Sequence, residues 1–572
     1  MSEQQSPAAR PGQAAASARE LSPSQERLLC HDRLHEGSPL YSVPVRYRFR
    51  GALDAGALHG ALQDLVARHE ALRAYVTASG RFVTQPAASL PWSVLDLSAE
   101  EPAVAAALAR QYVTAQARRP ISTAAAPLAR ACLVSEPGDR STLLLTLHHL
   151  IADQHSLDLL DQQLQELYGS RVGLAAAVPS PRRCATGQPD RQMSLNYWRG
   201  QLAGLGPRMP VPADRRPDVV GPHGDVVSAP MGEALTASLA GLAADCSATV
   251  FMVLLAGYAA FLGRVVAPEV VIGVPMYGRT SRDEHTIGMF VNIAPIRVRA
   301  GDDVTYRNLI GELRGLVTVA LAHQHVPLQD LVAEAPPAGG GGSHPLTQVG
   351  FSYVDDRRWY WAPAGVTAVR DVLPTGTAKW ELMWTVTADR TSSRSALEFS
   401  TDLFSRGRAE ELHSRLLETL TALSAAPDLP LGEALRSSGP RGERSELRGR
   451  LAAEGRKGPP GQAKLTAGSV AGGGSGGLVS TPRENTVSTP REITAGLADI
   501  WRDVLGTGDP SPDSDFFSHG GTSIKALRLV GAVHERFGVE LRIVTVFRRP
   551  AFGQLVHQIT ELMRASGEAQ SE

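Results

Sequence analysis

The chain has 572 residues, of which 43% are hydrophobic and 20% are charged, and this composition excludes a protein that is disordered throughout. Its 57 basic residues balance 58 acidic ones, so the formal net charge is -1. No overall field therefore attracts nucleic acid or an anionic membrane, and we expect neither as a partner.

The cysteines and the start of the chain favour a cytoplasmic location. The four cysteines are spread too widely for a CxxC motif and are too few for a disulfide framework. Residues 1–19 are rich in Ala, Ser, Gln and Pro, which predicts a disordered tail rather than a secretion signal. No apolar run reaches the roughly 18 residues that a membrane-spanning helix requires. At about 150 residues per domain, the length predicts three or four domain-sized units.

The first half of the chain shows alternating strand and helix patterns. Val45–Phe49 alternates between apolar and basic residues and predicts a half-buried strand, whereas Leu53–Tyr75 has the apolar spacing of one helix. The apolar run Leu143–Leu147 predicts a further strand, and Leu157–Tyr168 predicts an amphipathic helix directly after it.

The second half repeats this alternation. Residues 174–217 are rich in Pro, Arg and Gly, which predicts a connection over the surface. Ala234–Leu262 then predicts a helical region. The later predicted elements are strands at Val270–Val274, Ile293–Val298, Val349–Tyr353 and Leu382–Val386, helices at Tyr306–His323 and Arg408–Leu423, and a flexible loop at Pro336–Ser343. Two successive α/β halves are expected, at about residues 20–175 and 190–435.

The composition changes after residue 435. Residues 436–492 are dominated by Gly, Ser, Arg, Pro and Glu, which predicts a flexible linker. Within it the hexapeptide Val-Ser-Thr-Pro-Arg-Glu occurs at 479–484 and again at 487–492, as a natural duplication or a scar of cloning. Residues 493–565 predict a small bundle of three helices, followed by a tail at 566–572. The helices are expected at Ile493–Leu505, Ser523–Phe537 and Phe552–Met563.

The densest group of reactive side chains follows the strand Leu143–Leu147. His148, His149, Asp153 and His155 lie within eight residues, and each of them needs a polar partner if it is buried. Neighbouring residues of a strand point to opposite faces, which argues against one metal ion between His148 and His149. Two readings remain: both histidines are satisfied within a core, or one acts as a base or proton carrier that Asp153 supports.

The stretch His148-His149-x-x-x-Asp153-x-x-Ser156 resembles the HHxxxDxxS signature of condensation domains of nonribosomal peptide synthetases, relatives of chloramphenicol acetyltransferase. Further motifs resemble those of that family and follow in its order, and together they cover residues 21 to about 430. They are LSPSQERL at 21–28, RHEALR at 68–73, GRT at 278–280, IGMFVN at 287–292, HQHVP at 323–327, HPL at 344–346 and LEFSTDLF at 397–404.

The resemblance implies an α/β domain of two chloramphenicol-acetyltransferase-like lobes arranged in a V. Two thioester-bearing arms are expected to enter a tunnel between the lobes from opposite ends. His149 is then expected to face the tunnel and to assist attack of an acceptor amine on a donor thioester. His148 is expected to be packed behind it, and Ser156 to belong to the same catalytic group. Asp153 is expected to form a structural ion pair with Arg73.

Two further residues are candidates for the tunnel lining. Asn292 either lines the tunnel or forms a hydrogen bond at a strand end. Gln154 replaces the Gly that usually follows the motif Asp, so its side chain is expected to crowd the tunnel or reshape donor access. His325 replaces the usual Asp of HQD, and the RDxSRN stretch is not recognisable before Pro345. An unusual donor or acceptor, or a degenerate non-catalytic domain, therefore stays open.

The C-terminal bundle carries a second signature. Residues 515–524, DFFSHGGTSI, resemble the FFxxGGxS motif of peptidyl carrier proteins. Two glycines permit a tight turn into a helix that begins at Ser523. Without the surrounding motif, a serine at this position would be interpreted as an ordinary N-cap. The resemblance implies that Ser523 receives 4'-phosphopantetheine from coenzyme A through a phosphopantetheinyl transferase.

The combined reading is a condensation enzyme that forms an amide bond and is linked to its own carrier. No adenylation domain fits into residues 436–492, so the group on Ser523 is expected to be loaded in trans by an adenylation or other loading enzyme, or by condensation itself. An upstream carrier protein is expected to supply the donor. Two other functions stay open. One is an ester-forming or stand-alone acyltransferase that uses a soluble nucleophile, and the other is a non-catalytic platform that recruits tailoring enzymes.

Overall fold

The computed structural model describes residues 17–172, 191–334, 346, 348–436 and 489–568, with short internal gaps. The gaps are 207–208, 218, 280–282, 358, 362, 364, 390–392, 517–518, 520, 522, 543–544 and 547–548. The loop expected at 336–343, the first hexapeptide copy, residues 1–16 of the expected tail and most of the expected linker lie outside the described residues.

The first lobe is a mixed sheet covered by helices. Its elements are β1 (Ser17–Arg19), α1 (Pro23–Leu34), β2 (Ser42–Arg50), α2 (Ala55–Arg68), β3 (Ala74–Val76), β4 (Phe82–Thr84), β5 (Trp92–Asp96), α3 (Pro102–Ala117), β6 (Ala129–Glu136), β7 (Arg140–His148) and α4 (Gln154–Arg171). The main sheet has the order β2-β7-β6-β5, and β1, β4 and β3 form a small second sheet. Val45, Tyr47 and Phe49 of β2 are buried, as the alternation predicted.

The second lobe has its own six-stranded sheet, in the order β10-β9-β11-β13-β14-β8. Its first elements are α5 (Arg191–Leu202), β8 (Gly224–Pro230), α6 (Glu233–Asp245), α7 (Val250–Val265), β9 (Glu269–Met276), β10 (Asn292–Arg299), α8 (Tyr306–Ala322) and α9 (Leu328–Glu334). The later ones are β11 (Val349–Asp355), β12 (Thr367–Val372), β13 (Leu382–Ala388), β14 (Ser393–Ser400), α10 (Arg406–Ala425) and α11 (Leu431–Ala434). The apolar helix α7 lies at the centre of this lobe's core.

Two segments of the second lobe reach across to the first. β12 leaves its own lobe and pairs antiparallel with β2, so that it becomes the edge strand of the first-lobe sheet. The segment 277–291 between β9 and β10 also crosses, and its Ile287 and Met289 belong to the core of the first lobe. These crossings hold the lobes on either side of a common cleft.

The C-terminal domain consists chiefly of three helices, α12 (Pro490–Leu505), α13 (Ser523–Phe537) and α14 (Phe552–Glu568). The second copy of the hexapeptide starts α12: Thr489 is the N-cap, Pro490 is the first helical residue, and Glu492 completes a capping box. Trp501 is fully buried and contacts Phe516 and Phe552 edge to face.

Two predictions of local structure were wrong, and a third is refined. The helix expected over Leu53–Tyr75 ends at Arg68, because His69 is extended and the chain then enters a short 3-10 turn and β3. The helical region expected over Ala234–Leu262 consists of two helices, separated at Ser247, whose φ of 49° is left-handed, and restarted by the N-cap Thr249. Part of the surface connection expected at 174–217 is the helix α5, whose Trp198 is buried.

No single helix of the described ranges is long and apolar enough to cross a membrane. The pair α6 and α7 meets the length and composition criteria together, but the two helices are bent by 107° at their junction.

Candidate active site

The strand β7 ends at His148 and places the histidine pair between the lobes. The His148 side chain is 1% exposed, its Nδ1 accepts a hydrogen bond from the Leu150 N–H at 3.1 Å, and its Nε2 lies 3.3 Å from Asp32 Oδ1 on α1. Because both ring nitrogens have partners within the protein, His148 fixes the strand end against α1. This geometry fits its expected position behind His149.

His149 has a defined tautomer. Its backbone N–H donates to Tyr41 O at 2.7 Å, and its Nδ1 lies 2.8 Å from the carbonyl oxygen of Ala152. A carbonyl only accepts, so Nδ1 carries the proton and Nε2 has a free lone pair. Among the described residues Nε2 has no hydrogen-bond partner. Burial, reinforced by the Lys379 charge, lowers the pKa of His149 to about 4, so the imidazole is neutral near pH 7.

Asp153 joins the two lobes and does not pair with Arg73. Its Oδ1 lies 2.7 Å from Nη2 of Arg279, and both side chains are almost completely buried. Its Oδ2 accepts the Phe290 N–H at 3.0 Å, and Oδ1 also accepts the Ser156 N–H that caps α4. The predicted ion pair with Arg73 was therefore wrong. Arg73 instead donates to the carbonyl oxygens of Val66, Ala67 and Gln85 near the end of α2.

Ser156 is part of the same connection between the lobes. Its Oγ lies 2.8 Å from Asp153 Oδ1, from Arg279 Nη2 and from the Gly288 carbonyl oxygen. We call Asp153, Ser156, Arg279, Gly288 and Phe290 the interlobe clamp. The sequence had placed Ser156 with the catalytic group, but every contact of its hydroxyl is structural, so it acts on the reaction only by positioning the connection after His149.

Asn292 fixes the backbone of the second lobe. It is 8% exposed, its amide donates to the carbonyl oxygens of Gln324 and Val326, and its Oδ1 accepts the Leu328 N–H at 3.2 Å. Of the two roles that the sequence left open, these contacts support the hydrogen bond at a strand end.

Gln154 lies in the cleft between the lobes. Its amide donates to Asp158 Oδ1 at 3.1 Å within α4, and its side chain lines a cavity of about 860 Å³. The other walls of this cavity come from β2, β12 and the second-lobe sheet. Whether Gln154 crowds the tunnel or reshapes donor access stays a prediction.

One face of the second-lobe sheet forms the floor of the cleft. Cross-strand partners share a face, so the pairs Thr385–Ala396 and Met383–Glu398 of β13 and β14 lie in one row. Thr385 and Ala396 line the 860 Å³ cavity. Glu398 continues the row toward Lys379, whose backbone N–H donates to Glu398 Oε1 at 3.2 Å.

The sequence did not single out Tyr41 or Lys379 as site residues. The Tyr41 ring lies 6.5 Å from the His149 ring, and Lys379 Nζ lies 5.8 Å from the Tyr41 ring centroid. Arg279 was noted only as part of a motif, and its role in the interlobe clamp was not predicted. For Lys379, an isolated cation before the apolar strand Leu382–Val386 was the only local signal.

The C-terminal domain contacts the first lobe next to the site. Arg528 on α13 forms a two-pronged contact with Glu26 of α1, at 3.0 and 3.1 Å. At Gly531, one turn further along α13, a Cβ atom would lie 2.5 Å from the Ser79 carbonyl oxygen, so only glycine permits this approach. The helix that begins at Ser523 is thus held against α1.

Two family models match the chain. The model for the condensation domain matches residues 16–439, and the model for the phosphopantetheine attachment site matches residues 495–559. A linear gramicidin synthase of Brevibacillus parabrevis is 32% identical over 441 residues, which are 72% of this chain and 8% of that protein. Phosphinothricin tripeptide synthetase PhsB of Streptomyces viridochromogenes is 31% identical over 430 residues, 71% of this chain and 36% of that protein.

Solved structures share the fold. Holo-AB3403, a four-domain nonribosomal peptide synthetase bound to AMP and glycine, has a TM-score of 0.64 at 19% identity, over 74% of this chain and 34% of that one. The X-domain from teicoplanin biosynthesis has a TM-score of 0.59 at 23% identity, over 72% of this chain and 96% of that one.

These matches place the two-lobed domain among condensation domains, which carry out acyl transfer, and the helical domain among carriers of a phosphopantetheine group. The chain belongs to the condensation-domain family of nonribosomal peptide synthetases. It spans only 8% and 36% of the length of the two curated relatives named above.

The C-terminal domain fits a covalently bound 4'-phosphopantetheine. Ser523 is the first residue of a 15-residue helix. A Cβ at Gly521 would lie 2.3 Å from a ring carbon of the buried Phe516, so the turn before Ser523 is tight. When bound, the group supplies the thiol that carries an acyl chain as a thioester.

Proposed function

We propose that this chain joins a carrier-bound donor acyl group to an acceptor amine at His149. The observation that carries the proposal is the His149 tautomer: Nδ1 donates to Ala152 O, and Nε2 offers a lone pair without a partner among the described residues. A neutral imidazole in this form accepts a hydrogen bond from an amine and directs its nitrogen at a thioester carbonyl.

The proposed reaction needs no reactant other than the acceptor amine and the donor thioester. The amine nitrogen forms a bond to the donor carbonyl carbon, and the carbon–sulfur bond breaks. The amine loses one proton, and the departing thiol takes up one. With a pKa of about 4, His149 holds that proton only briefly, so its main contribution is to position the amine and guide the proton.

The chain's own carrier is proposed to hold the acceptor or the product. Arg528 and Gly531 hold α13 against α1 and the turn at Ser79, and α1 is also fixed to the strand end beside His149 by Gln25, whose amide donates to Leu150 O at 2.8 Å. These contacts support the proposal, because they join the carrier to the same helix, α1, that is fixed to the strand end beside His149.

Several partners are proposed to act with this chain. A phosphopantetheinyl transferase modifies Ser523, an upstream carrier brings the donor, and an adenylation or other loading enzyme acts in trans. The curated relatives are longer multidomain synthetases, and their whole-protein products are not transferred to this chain.

Ester formation with a soluble nucleophile and a non-catalytic recruiting role are the competing functions. The solved X-domain from teicoplanin biosynthesis, described in complex with OxyB, has a similar fold, with a TM-score of 0.57. The fold alone therefore supports both catalysis and recruitment, and the free Nε2 of His149 favours catalysis.

The test compares His149→Ala with the wild type in the holo form. Amide formation with donor-loaded carrier is expected to fall at least 100-fold, since positioned acid–base groups contribute about 10²–10⁴. The mass gain on Ser523 is expected to persist in His149→Ala and to vanish in Ser523→Ala. Undiminished amide formation by His149→Ala would contradict the proposed role of His149. Product formed only with a free alcohol or amine would favour the ester-forming or stand-alone acyltransferase.

A further inference from the structure

Two cations lie near Tyr41, the ring next to His149: Lys379 Nζ is 5.8 Å from the Tyr41 ring, and the Arg27 charge acts on both Tyr41 and Lys379. On α1, Leu28 and Leu29 face the core, whereas Arg27 and His31 lie one turn apart on the other side of the helix. Lys379 approaches from the second lobe, on the segment between β12 and β13. We call Arg27 and Lys379 the channel cations.

Neither channel cation has a bound counter-ion among the described residues. No carboxylate oxygen of that part of the chain lies within 4.0 Å of Lys379 Nζ, and the Arg27 guanidinium has no hydrogen-bond acceptor there. Lys379 is instead 5.8 Å from the ring of Tyr41. Burial raises the pKa of the Tyr41 phenol to about 12, so this ring contributes no charge.

The channel cations act on each other electrostatically. The Lys379 side chain is exposed and that of Arg27 is partly exposed. The pKa of Lys379 is lowered by desolvation and by the Arg27 charge, and Glu398 opposes this shift. Neighbouring like charges repel each other, and an anion between them removes that repulsion.

We propose that Lys379 and Arg27 bind a carboxylate of the acceptor substrate and thereby hold its amine at Nε2 of His149. The proposal rests on the function proposed above. Lys379 Nζ and the His149 ring lie 5.8 and 6.5 Å from the Tyr41 ring, so an anion bound by Lys379 lies near the reacting amine. The phosphate of a carrier arm is at the arm's serine end, so it does not fit this position. The carboxylate comes from the side chain of a carrier-bound acidic amino acid or from the α-carboxylate of a free one.

The test measures binding and needs no donor. Aspartyl-aminopantetheine and asparaginyl-aminopantetheine have nearly the same shape and differ by one negative charge, and free glutamate and its α-amide, isoglutamine, form a second pair that differs only in the α-carboxylate. Calorimetric titration of the full chain is expected to give at least tenfold tighter binding of the acidic member of one pair. The pair that shows this preference identifies the source of the carboxylate.

Variants assign the preference to the channel cations. Lys379→Met is expected to reduce the acid-to-amide ratio to less than threefold, Lys379→Arg to retain most of it, and Arg27→Gln to reduce it in part. The control is Arg406→Met, because Arg406 pairs with Asp225 on the outer surface and should leave the ratio unchanged.

Three outcomes would overturn the proposal: equal affinities for both members of both pairs, no detectable binding of any probe at millimolar concentration, or an unchanged ratio in folded Lys379→Met. If Lys379→Met does not fold, as judged by circular dichroism, an unchanged ratio in Arg27→Gln decides against it. Failure here is separate from failure of the proposed reaction, because His149→Ala is expected to lose product formation while keeping the acid-to-amide ratio.

Discussion

The protonation state of His149 determines how the reaction depends on pH. Unfolded histidine has a pKa of about 6.5, whereas the folded protein lowers that of His149 to about 4. Between these values the unfolded chain binds a proton that the folded chain does not, so folding stability from this group falls as the pH drops from 6.5 to 4. Above pH 5 the imidazole is already neutral.

We therefore expect single-turnover amide formation to rise with pH and to follow the acceptor amine, whose reference pKa is about 7.7 to 8.0. No inflection from His149 is expected between pH 5 and 7, and quenched-flow measurement from pH 5 to 9 checks this. An inflection near pH 6.5 that disappears in His149→Ala would show that the imidazole titrates normally.

The partner of Asp153 was the main error at the residue scale. Arg73 lies in a sequence motif, but its guanidinium satisfies carbonyl oxygens near the end of α2, where a helix lacks internal donors. Arg279 lies far away in the sequence and reaches Asp153 only because segment 277–291 crosses between lobes. The local sequence pattern around Asp153 or Arg279 gives no information about this contact.

A double-mutant cycle distinguishes these partners. We expect Asp153→Asn and Arg279→Gln to be coupled by about 1–3 kcal/mol in the free energy of unfolding, because the groups share one buried network. Asp153→Asn and Arg73→Gln should add to within about 0.5 kcal/mol. Urea unfolding of the wild type, the three single variants and the two double variants measures both cycles, and the reverse order of the coupling energies would restore the original prediction.

At the scale of elements, Arg370 adds a buried ion-pair network to the backbone pairing that joins β12 to the first lobe. Arg370 is 4% exposed and forms ion pairs with Asp158 at 3.2 Å and with Asp161 and Asp356. Asp158 and Asp161 belong to α4, whereas Asp356 follows β11 in the second lobe. Arg370 thus connects three elements around the cavity that Gln154 lines.

Arg370→Met is expected to lower the free energy of unfolding by about 3–5 kcal/mol, since it leaves buried carboxylates without their cation. It should also accelerate hydrogen exchange of the β12 amides. Arg46→Met is the matched control: Arg46 pairs with Asp371 of the same strand, but about a quarter of that pair is exposed, so its loss costs less. Equal effects of the two variants would mean that Arg370 has no special role.

At the scale of the whole molecule, the carrier contacts the first lobe through α13. An ion pair of this contact joins Arg528, which is well exposed, to Glu26 of α1. An exposed pair contributes little to stability, up to about 1 kcal/mol, so the carrier can leave and return.

Charge reversal tests this contact. Arg528→Glu is expected to slow transfer to an acceptor on Ser523 several-fold, and Glu26→Arg in the same chain should restore the rate. The mass gain on Ser523 should be unchanged in all variants. The check is single-turnover transfer at low and high salt, and a loss that the double reversal does not rescue would exclude docking through this pair.

The sequence by itself determined the strand and helix around residues 143–168, the two α/β halves, the carrier helices and the family, because each depends on local periodicity or on motifs that stand close together. It also indicated that His148 and His149 lie on opposite sides of the strand. Only the tertiary structure decided which arginine pairs with Asp153 and that β12 joins the sheet of the other lobe. It also decided that Asn292 fixes the backbone of the second lobe, that Ser156 belongs to the interlobe clamp, and that Lys379 lies near His149. Those contacts join residues far apart in the chain, and their geometry arises from how the two lobes pack against each other.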